Sequence, residues 1–350
     1  MRPTLSVLIV AYESRDDLRQ TLPALLGELG DGDELIVVDN KPGDGSVELV
    51  GELAQARIVS PGRNTGFAGG ANAGAAVARG DLLVLLNPDA VPQPGWGEAI
   101  RRPWEEERGW AAWQALVADG RGETINSAGN PIHFTGIVWA GGHGRPLAEA
   151  PPAGDVAAAS GACLAVPLGE WRRAGGFPAE FFMYHEDVDL SVRLRMAGGW
   201  VGIEPAAVVA HDYDFSASAD KWRWLERNRL AFLVRTYPGP LLALLAPALL
   251  ATELALLPVA AAGGWGRQKL RANREVIGWL PRLLRERRAL QRQRTISASE
   301  FASALTPDLD SDLISPLVRS LPARLLLRGY WRAVRALLSS TDSSGGSGSR

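Results

Sequence analysis

The sequence contains a single cysteine, Cys163, in 350 residues. One cysteine excludes a disulfide within the chain and a zinc site built from several thiolates, and it is typical of a reducing compartment. Cys163 lies in the apolar stretch 161–166, where a small thiol packs in a core far more often than it reacts. We therefore interpret Cys163 as a structural residue rather than a nucleophile.

An excess of charge of either sign is also missing. The 37 Lys and Arg residues nearly balance the 39 Asp and Glu residues, which leaves a formal net charge of -2. No field of the whole chain therefore argues for a nucleic-acid partner. The first apolar run, residues 5–10, is too short to cross a membrane, and no small-residue cleavage site follows it. We expect neither nucleic-acid binding nor export.

A Gly-X-Gly-X-X-Gly motif does not follow the first apolar run, where Ala11, Tyr12, Glu13 and Ser14 stand instead. That absence argues against a nicotinamide-dependent oxidoreductase, which would need those glycines to approach a pyrophosphate closely. The alternation of strands and helices that such enzymes share is nevertheless present.

Apolar runs and helical patterns alternate through the first 90 residues. The runs at 5–10, 34–38, 57–59 and 81–86 predict strands. Three helices are predicted between these strands. The first can be capped by Ser14 and carries Leu18, Leu22, Leu25 and Leu26, and the other two span 47–53 and 66–77. This alternation is typical of a mostly parallel sheet covered by helices.

The middle of the chain is less regular. Residues 90–159 are rich in Gly, Pro and Trp, so we predict no element there and expect loops that bind an acceptor. A strand at 161–166, a helix at 168–174, a helix at 187–196 and a β-rich run at 200–209 follow.

Polar residues follow three of the early strands: Tyr12, Asp39 and the Asn87-Pro88-Asp89 triplet. In open parallel sheets, ligands bind beyond the carboxyl ends of the strands. A divalent ion held there by Asp89 could neutralise a departing diphosphate. The triplet could equally form an ordinary turn, but the glycine-rich segment 63–72 allows close backbone approach beside the same edge.

Three acids, Glu186, Asp187 and Asp189, stand at the start of a predicted helix beside several large apolar residues. Acids are favoured at helix starts without any catalytic role, so this cluster has a purely structural alternative. Asp187 can accept the proton of an attacking hydroxyl as a general base, and one base with in-line attack gives inversion at the carbon that is attacked. Asp189 is expected to pair with Arg193.

The chain changes character after Pro238. Residues 239–264 are almost uncharged apart from Glu253, and Glu253 with three prolines interrupts every window long enough to span a membrane, so we expect an interfacial or re-entrant hairpin. Residues 267–294 carry ten basic residues against two acids, as on membrane-surface helices. A solvated basic helix packed on its own domain is the alternative. The last residues are low in complexity and expected to be disordered.

Taken together, five segments resemble the inverting family 2 glycosyltransferases with a GT-A fold, especially the rhamnosyltransferase-like members that extend lipid-linked saccharides. The segments are LSVLIVAYESRDDL, ELIVVDN, RNTGFAGGANAGAAVARGDLLVLLNPDAVP, SGACLAVPLGEWRRAGGFPAEFFMYHEDVDLSVRLRMAGG and KWRWLERNRL. The resemblance implies an α/β GT-A domain with a mostly parallel sheet at 1–237. A helical, membrane-associated extension at 238–340 and a disordered tail at 341–350 would follow it.

The same resemblance assigns roles to particular residues. Donor-nucleotide contacts fall on Ala11, Tyr12, Glu13, Asp39, Asn64, Gly66, Phe67, Asn72 and Asn87. Glu186 and Asp187 match the family's acidic motif, with Asp187 as the base. Asn87-Pro88-Asp89 stands where the family usually has Asp-X-Asp, so Asp89 becomes the main protein ligand for Mg2+ or Mn2+. His211 stands where some members place a metal-ligating histidine.

The expected function is an inverting, metal-dependent glycosyltransferase of cell-envelope polysaccharide synthesis. It would move a sugar, rhamnose from dTDP-rhamnose being the best guess, onto a lipid-linked or polysaccharide acceptor. We expect it on the cytoplasmic face of the cell membrane as a peripheral protein. The alternative is a catalytically silent, membrane-bound scaffold with a degenerate transferase domain, because Asn87 already departs from the family pattern.

Overall fold

A computed structural model describes residues 2–211, 220–310 and 320–345. The strands are β1 (Leu5–Ala11), β2 (Glu34–Asp39), β3 (Arg57–Val59), β4 (Leu82–Leu86), β5 (Ala90–Pro92), β6 (Trp110–Ala118), β7 (Ile125–Ser127), β8 (Ile132–His133), β9 (Gly154–Asp155), β10 (Cys163–Pro167), β11 (Trp200–His211) and β12 (Leu305–Thr306). The helices are α1 (Arg15–Glu28), α2 (Ser46–Leu53), α3 (Gly66–Ala75), α4 (Trp96–Ala99), α5 (Arg102–Glu105), α6 (Leu168–Ala174), α7 (Glu186–Met196), α8 (Lys221–Thr236), α9 (Gly239–Ala262), α10 (Gly266–Gln293), α11 (Ala298–Ser303) and α12 (Leu321–Gly345).

The chain divides into two compact units. The first comprises Met1–Asn130, Ala140–Leu194 and Gly199–Ala217, and the second comprises Pro131–Trp139, Arg195–Gly198 and Ser218–Arg350. The division near residue 218 differs from the boundary at 237 expected from the sequence, because helix α8 belongs to the second unit.

The first unit is built on one sheet. Within the described residues it has ten strands in the order β3-β2-β1-β4-β10-β6-β11-β5, with β7 beside β6 and β9 beside β11. Strands β1, β2, β3 and β4 are parallel, and β11 is parallel to β6. Strand β10 is antiparallel to both neighbours, and β5 is antiparallel to β11. The expected α/β fold is confirmed, but the sheet is mixed rather than mostly parallel, because four of its described strand pairings are parallel and five are antiparallel.

Side-chain alternation along β1 explains why helices cover both faces of this sheet. Leu5, Val7 and Ile9 join the core that includes the α1 leucines, whereas Leu8 and Val10 join the core that includes the α3 alanines. Helix α3 packs unusually closely, because a Cβ on Gly74 would lie 2.3 Å from Leu8. This close packing holds the start of α3 near the carboxyl edge of the sheet.

The region 90–159 is more ordered than we expected. Its strand β6 is nine residues long, almost wholly buried, and lies between β10 and β11. Because β6 is covered on both faces, its sequence is apolar or small at nearly every position and shows no alternation to read. Ser14 occupies the N-cap position of α1 as predicted, but its hydroxyl donates to the Tyr12 carbonyl (3.0 Å) instead of capping the helix.

The second unit is mainly helical. Helix α9 runs unbroken through Pro247 and Pro258, so the expected hairpin within the apolar run is wrong. Helix α12 extends to Gly345, so residues 341–345 are helical rather than disordered, and residues 346–350 lie outside the described residues. In the part of the chain that the structure describes, α9 is the one helix with the length and composition that crossing a membrane requires.

Buried charges explain why α8 belongs with the later helices. Glu226 and Arg229 of α8 form ion pairs with each other and with Lys269 of α10 and Glu253 of α9, respectively. Lys269 also binds Glu253 at 2.6 Å. These four side chains form what we call the tether network, and it joins α8, α9 and α10.

Candidate active site

The sheet brings the predicted site residues to one edge. Ala11 and Asp39 end β1 and β2 and are register partners. Strand β10 runs in the opposite direction, so its first residue, Cys163, pairs with Leu86 at the end of β4. His211, the last residue of β11, pairs with Ala90. The carboxyl ends of four strands and the start of β10 therefore surround the Asn87-Pro88-Asp89 triplet.

Asp89, His211 and Asn87 form one corner of this edge. The Nε2 atom of His211 lies 3.1 Å from Oδ1 of Asp89 and 3.4 Å from Nδ2 of Asn87. His211 is buried, and its carbonyl accepts from Nδ2 of Asn126 (3.2 Å), whereas the Asp89 side chain is 33% exposed. The two residues expected to bind a metal are therefore adjacent, and the carboxylate is open to a ligand.

This corner supplies only part of a metal's coordination shell. In residues 2–211, 220–310 and 320–345, no group of three or more His, Cys, Asp or Glu side chains is placed to hold an ion. One carboxylate and one imidazole suit Mg2+ or Mn2+ when other oxygens, such as those of a diphosphate, complete the shell. The residues therefore fit a metal that arrives with an anionic ligand.

Asp17, which the sequence analysis missed, lies near the same corner. One turn further along α1, the Thr21 hydroxyl donates to the Pro88 carbonyl (2.7 Å). Partial burial and the negative charges of Asp89 and Asp16 raise the pKa of Asp17, and the nearby His211 opposes them. The sequence signal for Asp17 is its position as an acidic residue in the first turn of the helix that follows β1.

Asp187 is held by backbone donors. Its Oδ2 accepts from the Gly161 N–H and its Oδ1 from the Val188 N–H, both at 2.8 Å. Burial raises the pKa of Asp187, and these two N–H groups only partly oppose the shift. Ala162, which follows Gly161 in the chain, accepts a hydrogen bond at its carbonyl from the Asn87 N–H (2.9 Å). Adjacent residues at the start of β10 therefore hold the predicted base and the predicted metal corner.

Glu186 is almost completely buried beside Asp187. Its Oε2 has no hydrogen-bond partner among the described residues. Burial, together with the negative charges of Asp187 and Asp189, raises the pKa of Glu186 well above its ordinary value, so the neutral acid is favoured. Asp189 forms the predicted ion pair with Arg193, at 2.6 Å.

The loop that precedes these acids is strained. Phe182, Tyr184 and His185 all have positive φ angles, of 64°, 71° and 68°. Such conformations are costly for residues other than glycine and persist where the surrounding structure imposes them, often at functional sites. The Phe182 carbonyl accepts from the Ala68 N–H (3.1 Å), and a Cβ on Gly66 would lie 2.3 Å from that carbonyl oxygen. A larger residue at position 66 would therefore clash with the strained loop, and glycine leaves the space that the loop needs.

Asn40, also missed from the sequence, organises the turn before α3. Its Oδ1 accepts from the Thr65 N–H (2.9 Å), and its Nδ2 donates to Oδ1 of Asn64 (3.1 Å) and to the Gly66 carbonyl (3.1 Å). Asn64 in turn accepts from the Gly66 N–H at 2.8 Å. A buried amide directly after Asp39 therefore shapes the segment that we predicted to contact a nucleotide.

The ends of β1 and β2 carry exposed groups. The Tyr12 ring is 44% exposed, and the Lys41 ammonium lies 5.3 Å from its centroid while also pairing with Glu13. Asp39 is half-buried, and its Oδ2 accepts from the Ser60 hydroxyl (3.3 Å). An accessible aromatic ring beside an accessible carboxylate could bind a nucleoside.

Two other predicted donor contacts take part in the fold. Asn72 uses both ends of its amide on Phe177, donating to the carbonyl (2.8 Å) and accepting from the N–H (2.9 Å). Phe67 packs against the same residue, with ring centroids 5.8 Å apart. The Asn72 amide therefore holds the turn at Phe177, a role that the sequence pattern did not indicate.

A family model described as glycosyl transferase family 2 matches residues 6–142. Over 246 residues the chain is 27% identical to an N-acetylglucosaminyl-diphospho-decaprenol L-rhamnosyltransferase of Mycobacterium tuberculosis, covering 63% of this chain and 80% of that protein. It is 27% identical over 215 residues to a pre-mycofactocin glycosyltransferase of the same species, covering 60% of this chain and 43% of that protein.

Two further matches are less complete. An uncharacterized protein of Sinorhizobium fredii is 29% identical over 218 residues, but the match covers 56% of this chain and only 23% of that protein. Among solved structures, GalNAc-T7 with UDP, GalNAc and Mn2+ aligns with a TM-score of 0.56 at 14% identity, covering 77% of this chain and 54% of that chain. At that identity the structural likeness concerns the fold.

Proposed function

We propose that the chain is an inverting glycosyltransferase with Asp187 as its base, and the match of residues 6–142 to the glycosyl transferase family 2 model supports this proposal. The observation that carries the proposal is the setting of Asp187. It is a half-buried carboxylate with a raised pKa, bound by backbone N–H groups at the sheet edge where ligands of such folds bind.

The chemistry needs one proton transfer. Asp187 accepts the proton of the acceptor hydroxyl while that oxygen bonds to the anomeric carbon and the bond from this carbon to the diphosphate breaks. A carboxylate with a raised pKa is a stronger base, because its basicity moves closer to neutral pH. Burial and the charges of Asp187 and Asp189 raise the pKa of Glu186, which favours its neutral form, and that form does not compete for the proton.

The donor would occupy the edge formed by Tyr12, Asp39 and the turn at Asn64 and Gly66. Asp89 and His211 would hold Mg2+ or Mn2+, and the bound cation would neutralise the charge that develops on the departing diphosphate. Asn87 can offer only a neutral amide at this corner, so Asp89 is the carboxylate ligand. Asp17 adds negative charge close by.

The sugar and the acceptor are proposed from the relatives. The name of the mycobacterial rhamnosyltransferase supports transfer of rhamnose to a lipid-linked acceptor. The family resemblance adds dTDP-rhamnose as the proposed donor and a polysaccharide as the alternative acceptor. Membrane attachment through the second unit suits such an acceptor, since a lipid-linked saccharide is presented at the bilayer surface. We place the protein at the inner face of the cell membrane, as a peripheral protein.

Replacing Asp187 tests the mechanism. We expect Asp187→Asn to lower kcat by about 10²–10⁴-fold, because the general base is lost while the amide keeps the shape. The measurement is transfer from a panel of dTDP-, UDP- and GDP-sugars to a diphospholipid-linked N-acetylglucosamine acceptor, with Mn2+, with Mg2+ and with chelator. Calorimetry of nucleotide binding on the same samples separates binding from chemistry.

Glu52→Gln is the control, since Glu52 is an exposed acid on α2 away from the carboxyl edge. Unchanged turnover by Asp187→Asn would mean that the base is assigned wrongly. A wild-type protein that binds none of the nucleotide sugars would instead favour the silent scaffold.

A further inference from the structure

The exposed side of helix α9 is entirely without charge. Between residues 243 and 259 it exposes Ala243, Ala246, Pro247, Leu250, Ala251, Leu254, Ala255, Leu257, Pro258 and Val259. Leu250 and Leu254 are 62% and 59% exposed, and only 6% of the most apolar 18-residue window of the helix is buried. A core helix with this composition would be largely buried, so this side needs an apolar environment.

The one charged residue of α9, Glu253, borders this exposed side, and its side chain is only 26% exposed. It binds Arg229 and Lys269 in the tether network, and both cations are almost fully buried. Burial by itself would raise the pKa of Glu226, the fourth member, but Arg229 and Lys269 lower it to about 2. Glu226 is therefore ionised beside its two cations, and α9 directs its one charged side chain into the network while its apolar side is exposed.

This arrangement opposes a transmembrane path for α9. The 24 residues would reach about 36 Å as a helix, enough to cross the hydrocarbon core. Crossing would carry Glu253, which lies near the middle of the helix, into that core. The helix would either leave Arg229 and Lys269 behind without a partner or draw them in, and both are costly.

Helix α10 provides a matching basic surface in the same unit. Leu270, Ile277, Leu280 and Leu284 are exposed on it. So are six arginines: Arg267, Arg271, Arg274, Arg285, Arg288 and Arg292. Other basic residues of this stretch face the protein, since Lys269 joins the tether network and Arg287 donates to the Tyr237 carbonyl (2.6 Å). The outward arginines beside apolar side chains complement anionic headgroups.

We propose that α9 is a monotopic helix that lies in one leaflet of an anionic lipid bilayer and does not cross it. Leu250 and Leu254 enter the acyl-chain region, the tether network holds the helix to α8 and α10, and the α10 arginines contact headgroups. The inference rests on the membrane attachment in the proposed function and specifies its geometry. It does not depend on sugar transfer.

Vesicle flotation of the full chain tests the surface, without donor or acceptor, so its outcome is separate from that of the transfer assay. We expect the wild type to float with vesicles of phosphatidylcholine and phosphatidylglycerol and less with phosphatidylcholine alone. The double variant Leu250→Glu, Leu254→Glu should bind at least about tenfold more weakly, because charged side chains enter hydrocarbon only at high cost. Leu53→Glu, at an exposed leucine of the first unit, should bind like the wild type.

Equal flotation of the wild type and the double variant would overturn the proposal. So would a wild-type dimer that does not float and that the double variant converts to a monomer, because a second copy would then cover the face.

Labelling of introduced cysteines tests the path. Gly239→Cys and Gly264→Cys are exposed positions at the two ends of α9, and the native Cys163 is buried, which gives a low background. A membrane-impermeant maleimide should label both ends in inside-out vesicles and neither end in sealed right-side-out cells. Labelling of the two ends from opposite sides would show a span and refute the monotopic path, even if flotation succeeds.

Discussion

The two units treat a buried glutamate in opposite ways. In the first unit, Glu186 is buried beside Asp187, none of the described cations pairs with it, and its pKa is raised. In the second unit, Glu226 is equally buried, but Arg229 and Lys269 surround it and lower its pKa to about 2.

This difference distinguishes a glutamate of the candidate active site from a glutamate that stabilises helix packing. A compensated buried acid joins helices and can be understood from its ion pairs alone. An acid without a cation, beside another acid and behind a strained loop, destabilises the fold and is retained where its protonation matters. The first unit thus carries the proposed reaction, and the second carries the proposed attachment.

The largest expected effect is a difference in stability between variants of these two glutamates. Glu226→Gln should lower the free energy of unfolding by about 3 kcal/mol or more, because Arg229 and Lys269 lose a buried counter-charge. Glu186→Gln should cause a much smaller loss, because burial and the neighbouring acids favour the neutral form of Glu186, which an amide resembles. Chemical denaturation of both variants and of the wild type measures the difference.

The stability contributions of Glu226 and Glu186 should change with pH in opposite directions. The lowered pKa of Glu226 contributes stability above its unfolded value of about 4.5, and that stability is lost as the pH falls toward about 2. The raised pKa of Glu186 acts oppositely, stabilising the fold at low pH and losing that contribution as the pH rises. If Glu226→Gln and Glu186→Gln lowered the free energy of unfolding equally, the two buried glutamates would not differ in the way described above.

The second effect concerns the strained loop of the first unit. Gly66→Ala should destabilise the protein by about 1–3 kcal/mol more than Gly62→Ala, as measured by thermal unfolding. Both glycines have positive φ angles, of 71° and 74°, but only Gly66 faces the Phe182 carbonyl, and a Cβ on Gly62 meets nothing within 4 Å.

The pair therefore separates the cost of a positive φ angle from the cost of the close approach. Matching losses in the two variants would mean that the loop before Glu186 can move away. In that case Gly66 would not be needed to admit it.

The smallest effect sharpens the role of Asp187. Because burial raises its pKa and the base must be ionised, kcat/KM should fall as the pH drops through a value above the ordinary 3.8 of an aspartate. The fall should approach tenfold per pH unit on the acid side, as for loss of a single ionised base. Glu52→Gln is the matched control and should show the same limb. An acid limb centred at or below 3.8 would count against burial of the base.

Much of the first unit could be predicted from local pattern. The strands and helices up to residue 86 were recognised because each strand is an apolar run and each helix has its own periodicity. Strand β6 was missed because burial on both faces removes alternation. The prolines in the apolar run of α9 predict a break, yet the helix accommodates both Pro247 and Pro258.

Which polar residues follow the strands can be read from the sequence alone, because the carboxyl ends of parallel strands share one edge. Tyr12, Asp39 and Asp89 are predicted in that way, whereas Asp187 is predicted from the acidic cluster at a helix start and from the family resemblance. Only the tertiary structure decided that His211 lies 3.1 Å from Asp89, that Asn40 and Asn72 hold turns, and that Glu253 points inward. Those contacts join residues far apart in the chain, and their geometry depends on packing that no local pattern records.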